Sequence, residues 1–212
     1  MPGVFISFEG IEGCGKSTQL QLLAETLRAD GHTVVVTREP GGTALGQTLR
    51  QLLLSPTTAL ASGAEVLMML ADRAQHIQEV IAPALNANRV VLCDRFVDST
   101  VAYQGYGRAI DLAFLAQLNT FACAGYLPAL TVLLDVPVSE GLRRARTRRG
   151  TETADHFEAE SVAFHERVRE GFLSVARTEP HRISLISSLR PILEVHHEIV
   201  SLVHSQFVQL RP

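Results

Sequence analysis

Short apolar, β-branched runs alternate with longer amphipathic stretches along the whole chain, and this pattern sets the expected architecture. The runs predict five strands, at Val4–Phe8, Thr33–Thr37, Arg89–Cys93, Ala129–Leu134 and Arg182–Ile186. Helical periodicity falls between them: Ser17–Ala29 (ended by Asp30-Gly31), Ala44–Leu54, and a long stretch Ala64–Leu85 with Pro83 near its end. It continues at Asp111–Ala124, Val138–Arg148, Ala159–Arg177 and Ile192–Phe207. Several strands are apolar on both faces, as a parallel sheet buried beneath helices requires. The segment 149–156 (RGTETADH) is polar, contains glycine and lacks periodicity, so it reads as a loop. No internal repeat or low-complexity tract interrupts the alternation, and residues 1–212 read as a single α/β domain.

Composition narrows the class. Net charge is −3 with hydrophobic residues at 46%, so no general basic surface for nucleic acid is expected. Three cysteines, Cys14, Cys93 and Cys123, are too few and too uneven for a disulfide framework and suit a reducing compartment. The opening residues run straight into a strand pattern without a signal-peptide profile, and no 18-residue apolar span follows. A cytoplasmic protein is expected.

The basic residues are unevenly chosen. Lys16 is the sole lysine beside 18 arginines, and it lies in Gly10-Ile11-Glu12-Gly13-Cys14-Gly15-Lys16-Ser17. This octet satisfies G-x-x-x-x-G-K-[ST] between a strand and a helix. Glycines there let backbone N–H groups converge on phosphate oxygens at a helix N-terminus. A compact ammonium fits inside such a loop where a planar guanidinium does not. Residues Gly10 to Thr18 are the expected ATP-phosphate site, with Lys16 on the β- and γ-phosphates and the Ser17 hydroxyl on Mg²⁺. A GTPase would need an Asn-Lys-x-Asp motif, and no second lysine exists to build one. Protein-kinase signatures are absent as well, which leaves a small P-loop kinase.

Arg50, Arg73 and Arg95 occupy places where a second anion could be held, Arg95 following Asp94 at the carboxyl end of a strand. Arg143, Arg144, Arg146, Arg148 and Arg149 form a cationic run beside the loop. It is read either as a solvated face paired with Glu152, Glu158 and Glu160, or as a lid (about residues 143–158) that closes on ATP.

The segments FEGIEGCGKST, TREPGGT, LRQLLL, DRAQH, VVLCDRFVDSTVAYQGYGR and GLRRARTRRG resemble those of the bacterial thymidylate kinases, within the P-loop nucleoside-monophosphate kinases. The resemblance implies a three-layer P-loop fold, a five-stranded parallel sheet flanked by helices and a small lid. It implies in-line transfer from ATP to dTMP with Mg²⁺, for dTTP and DNA precursor synthesis, and a homodimer. Residue by residue, Glu12 and Glu39 would face the acceptor sugar and reaction centre, while Arg50 and Arg95 would hold the acceptor phosphate. Arg73 would read the thymine edge with Thr100 and Gln104, and Tyr103 would crowd the 2′ position. Asp94 would order water around the metal. Lys16, Arg95, Glu12 and a lid arginine, Arg144 or Arg148, would form the catalytic group. Two positions depart from the family pattern. Met69 stands where a stacking aromatic is usual, and Asp155-His156 replaces an Asp-Arg pair in the lid. A deoxynucleoside kinase, with Glu39 as base, is the nearest alternative, and a slowly hydrolysing nucleotide switch is a more distant one.

Overall fold

The computed structural model describes residues 3–151 and 153–210. Five strands, β1 (Val4–Glu9), β2 (Val34–Arg38), β3 (Val90–Asp94), β4 (Leu130–Asp135) and β5 (Ile183–Ser187), form one sheet in the order β2-β3-β1-β4-β5. All four pairings are parallel, with Val4 opposite Val90 and Ile6 opposite Leu130. β1 lies in the centre and is buried along its whole length, which explains its largely apolar reading; buried Ser7 is paired with Thr131 Oγ1 at 2.7 Å. Helices α1 (Lys16–Ala29), α2 (Ala44–Leu54), α3 (Ser62–His76), α4 (Ala82–Asn86) and α5 (Val97–Thr100) are followed by α6 (Leu112–Cys123), α7 (Val138–Arg149), α8 (Val162–Thr178) and α9 (Ile192–Gln206). One core cluster joins Ile6, Phe8 and Leu92 to Leu20, Leu23, Phe172 and Ile199, and another, around Phe5, Val91, Ile81 and Phe96, fills the opposite face. Three layers result, as the pattern predicts.

Most element bounds agree with the pattern within a residue or two, and three differences have physical causes. The helix expected over 64–85 begins at Ser62 and changes hydrogen-bond period within its length. Ile77–Ile81 is a π-helical turn, in which the Ala82 N–H reaches the Ile77 carbonyl, and α4 then carries Pro83 in its first turn. Proline offers no N–H to an α-type ladder, and the wider turn ahead of it absorbs that loss. The helix expected from Ala159 starts at Val162, because the Ser161 Oγ caps it by accepting from the Phe164 N–H at 3.2 Å. The third difference is an element absent from the pattern. Residues 97–107 form α5 and a π-helical continuation, Val101–Gly107, with the Arg108 N–H bonded to the Tyr103 carbonyl. Gly105 and Gly107 oppose helix in isolation. Here the segment packs on α8: a side chain on Gly107 would meet the Phe164 ring at 2.7 Å, and the Tyr106 hydroxyl donates to Ser174 Oγ at 2.8 Å. Tertiary packing outweighs the local propensity.

Candidate active site

The carboxyl ends of β1, β2 and β3 open onto a cleft of ≈ 390 Å³. Its walls include Glu12 from the loop after β1 and Lys16 and Ser17 at the start of α1, Arg38 and Glu39 at the end of β2, and Asp94 and Arg95 at the end of β3. This is the edge at which parallel α/β sheets bind ligands.

The phosphate loop has the geometry its glycines foretell. Gly10, Gly13 and Gly15 all have positive φ, at 135°, 71° and 96°. A Cβ on Gly13 would lie 2.0 Å from the Gly141 carbonyl oxygen of α7, so the close approach also demands glycine. Gly15 is the N-cap of α1 and directs the helix start toward the cleft. Lys16 is buried and lies along the loop, its Nζ donating to the carbonyls of Gly10 and Ile11, both at 3.0 Å. The Ser17 hydroxyl donates to Asp94 Oδ2 at 2.7 Å. Two oxygen donors thus adjoin at the phosphate end, a set that suits a hard cation such as Mg²⁺ completed by phosphate oxygens and water.

Arg95 links the two halves of the site. Its backbone is in the left-handed region, φ 70°, a conformation that costs a non-glycine residue about 1 kcal/mol. The side chain offsets that strain with four hydrogen bonds: to the Gly10 carbonyl, Ser99 Oγ, Glu12 Oε1 and the Tyr103 hydroxyl, at 2.9–3.1 Å. Burial works against its charge, but Tyr103, Glu12, Glu9 and Asp94 outweigh burial and raise its pKa. Glu12 also receives the Tyr103 hydroxyl at 2.5 Å. Burial alone would raise the Glu12 pKa; His165, Arg95, Lys16 and Tyr103 more than reverse this and hold it ionised, well below the usual carboxylate range.

Deeper in the cleft a buried network surrounds Arg73. Its Nε donates to Glu39 Oε2 at 2.8 Å, and one terminal nitrogen donates to Thr100 Oγ1 at 3.0 Å and Asn119 Oδ1 at 2.6 Å. The other Glu39 oxygen pairs with His76 Nδ1 at 2.9 Å, and His76 Nε2 meets Thr37 Oγ1 at 2.6 Å. Met69 lies one turn before Arg73 and also lines the cleft. Asp72, on the far side of the same helix, accepts from the Gly41 N–H at 3.0 Å and so ties α3 to the turn after β2. Burial, with the Glu39 charge, raises the Asp72 pKa to about 6.

Arg50 NH1 donates to the Pro40 carbonyl at 2.9 Å, and neither Arg50 nor Arg38 has an ion-pair partner among the described residues. Burial lowers the Arg50 pKa, and the Arg38 and Arg95 charges lower it further. Two guanidinium groups, Arg38 and Arg50, therefore face the cleft without an ion-pair partner among the described residues, beside Arg95, which pairs with Glu12 at 2.9 Å.

The arginine run divides by function. Arg143 and Arg144 pair with Glu140 at 2.7 and 2.6 Å, and Arg144 also donates to the Ser188 carbonyl. Arg144 is not among the cleft-lining residues, whereas Arg148 is. Arg148 and Arg149 both pair with Glu158. Glu160 pairs with Arg108 instead of the run, and Glu152 lies outside the described residues. His156, in place of a lid arginine, turns away from the phosphate loop to Arg108, 3.1 Å from its NH2.

Of the residues expected at the site from sequence, Glu12, Gly13, Lys16, Ser17, Glu39, Arg50, Met69, Arg73, Asp94, Arg95, Thr100, Tyr103, Gln104 and Arg148 line this one cleft. Arg38, Ser99, Asn119 and Phe157 join it or its bonded network without having been singled out, and Asp155 and Glu158, named from sequence with the lid, line it as well. Arg38 had a usable signal, as it stands in TREPGGT at the end of β2. Asn119, on α6, had none.

Comparison with known proteins agrees with this geometry. The family model for thymidylate kinase matches residues 8–199. A thymidylate kinase of Geotalea uraniireducens is 49% identical over 211 residues, covering 98% of this chain and 99% of that one. One from Desulfovibrio desulfuricans is 55% identical over 193 residues, 89% of each chain. The crystal structure of thymidylate kinase from Ehrlichia chaffeensis superposes with a TM-score of 0.78 at 38% identity, covering 96% of this chain and 99% of that one. A phosphate loop, an arginine-walled cleft and relatives matched along nearly their whole length lead to one conclusion: this chain belongs to the thymidylate kinase family.

Proposed function

We propose that the protein transfers the γ-phosphoryl group of ATP to dTMP, yielding ADP and dTDP, with Mg²⁺, and that its cleft residues carry the reaction as follows. The reading rests above all on Arg38 and Arg50, which face the cleft without an ion-pair partner among the described residues and favour an acceptor that brings its own anion. A nucleoside would leave them without a counter-charge, which disfavours the deoxynucleoside kinase alternative.

A phosphate monoester has a second pKa near ~6 and is mostly dianionic at neutral pH, so attack needs no general base. Catalysis then reduces to positioning and charge neutralisation. Lys16 would exchange its loop carbonyls for the donor's β- and γ-oxygens. Arg95 would bind between acceptor and transferring group, and Arg148 would swing from Glu158 onto the donor. Ionised Glu12 orients Arg95 and Tyr103 at the sugar. Ser17, with Asp94 acting through water, would hold Mg²⁺, which would supply Lewis-acid charge neutralisation. Gly10, Ile11, Cys14 and Thr18 complete the ATP loop, and Arg144 would serve the donor side from outside the cleft.

We also place the protein in the cytoplasm, in keeping with three free, buried cysteines, and as a homodimer. Exposed Leu67 on α3 and Phe114 and Phe121 on α6 support burial against a second copy. Among the described residues no helix is long and apolar enough to cross a membrane. An ADP-release assay across dTMP, dUMP, thymidine, dCMP and AMP tests the central reading. dTMP should be turned over fastest; a faster rate with thymidine would overturn it.

A further inference from the structure

Two helices face each other across the inner end of the cleft with matched spacing. On α3, Glu65, Met69 and Arg73 recur every fourth residue; along α5, its π continuation and the residue capping it, Thr100, Gln104 and Arg108 do the same. Rungs connect them. Arg73 bonds Thr100 at 3.0 Å, and Glu65 receives the Gln104 side-chain NH₂ at 2.8 Å. Arg108 also donates to Glu65, at 3.0 Å from its NH2 and 3.3 Å from its Nε. Glu65 is only 1% exposed, and nothing in a base-reading role requires a buried carboxylate there.

We infer that Glu65 is a specificity-determining positioning residue, which sets the hydrogen-bond polarity of the base pocket by fixing which end of the Gln104 amide faces it. This rests on the dTMP kinase reading and deepens it. A carboxylate paired with an arginine fork only accepts hydrogen bonds, so Gln104 must turn its NH₂ toward Glu65. Its carbonyl oxygen is then the group left for the cleft that Gln104 lines. Arg73 uses Nε and one terminal nitrogen on protein acceptors, leaving donors of the other for the same cleft. The wall thus presents a donor beside an acceptor. Thymine and uracil answer that pattern with a C4 carbonyl beside an N3–H. Cytosine presents the reverse, an amino group beside a bare N3, and each mismatch leaves a buried polar group unpaired. Arg108 strengthens the device from behind: its guanidinium lies 4.6 Å from the Phe164 ring and pairs with Glu160 beyond the lid.

In E65Q the new side chain either donates or accepts, so Gln104 is free to flip. The test measures kcat/KM for dTMP, dUMP and dCMP in wild type, E65Q, Q104A and E65Q/Q104A, with melting curves for each. E65Q should lower the dTMP-over-dCMP preference roughly tenfold or more, while the double variant should match Q104A alone. An unchanged preference in E65Q, or a further fall in the double variant, would overturn the inference. Wild type that ignores dTMP would instead overturn the functional reading. If E65Q does not fold, ¹⁵N NMR of the wild-type Gln104 side chain decides: its NH₂ should stay exchange-protected by Glu65 with and without dTMP. Transfer of that NH₂ to the ligand would refute the assignment.

Discussion

The acceptor side of the cleft and the donor-side lid use the same side chain, arginine, in opposite ways. Arg73 is buried and Arg95 half-buried, and each is bonded to several fixed partners, among them Glu39, Thr100, Asn119, Glu12 and Tyr103. Arg148 is 67% exposed and has one bond, to Glu158 at 3.2 Å. A guanidinium held by several fixed partners stays in place before substrate arrives, which favours selective binding. An exposed ion pair contributes at most about 1 kcal/mol and is readily exchanged for a phosphate. On the proposed reading, recognition stays rigid and motion is confined to the arginine that would close over the donor.

The sharpest break in this contrast lies between the regions, at Lys16. Replacing it by Arg keeps the charge but not the shape, and kcat should fall on the order of 10³-fold with the fold intact; near-normal turnover would show that the loop has room for a planar fork. Next in size, R148A should lower kcat about tenfold or more with little change in the KM for dTMP, and R144A much less, because Arg144 is anchored on Glu140 and the Ser188 carbonyl. Equal effects in steady-state kinetics would erase the division within the arginine run.

The smallest effect concerns the rigidity of the acceptor side. Burial, with the Glu39 charge, raises the Asp72 pKa from the ordinary 3.8 to about 6 in the folded protein. The folded state therefore holds this proton more tightly. The associated stability is full below about pH 4 and is lost as pH rises through 6, by about 2 kcal/mol or less. D72N keeps a carbonyl for the Gly41 N–H, so its melting temperature should fall less than wild type's between pH 4.5 and 7.5. Parallel curves would mean that Asp72 titrates normally.

Much of this was legible in the chain. The five strands and the phosphate loop follow from periodicity and motif, since strand burial and anion binding leave local patterns. Arg50 and Arg95 were candidates whose pairing came from the family resemblance, whereas Arg38 was not singled out. The segment 97–107 did not follow from the pattern, because its helix is held by α8 against its own glycines. Nor did the role of Glu65, an acidic residue 39 positions from the amide it orients.

By itself, then, the sequence determined the layered fold, the phosphate loop and the need for one narrow cation at Lys16. These depend on residue type within short windows. Tertiary structure alone decided which arginines stay fixed, that Arg148 rather than Arg144 reaches the cleft, and that His156 turns to Arg108. Those outcomes depend on which distant carboxylates and carbonyls the packed helices bring within about 3 Å, the distance at which a hydrogen bond forms.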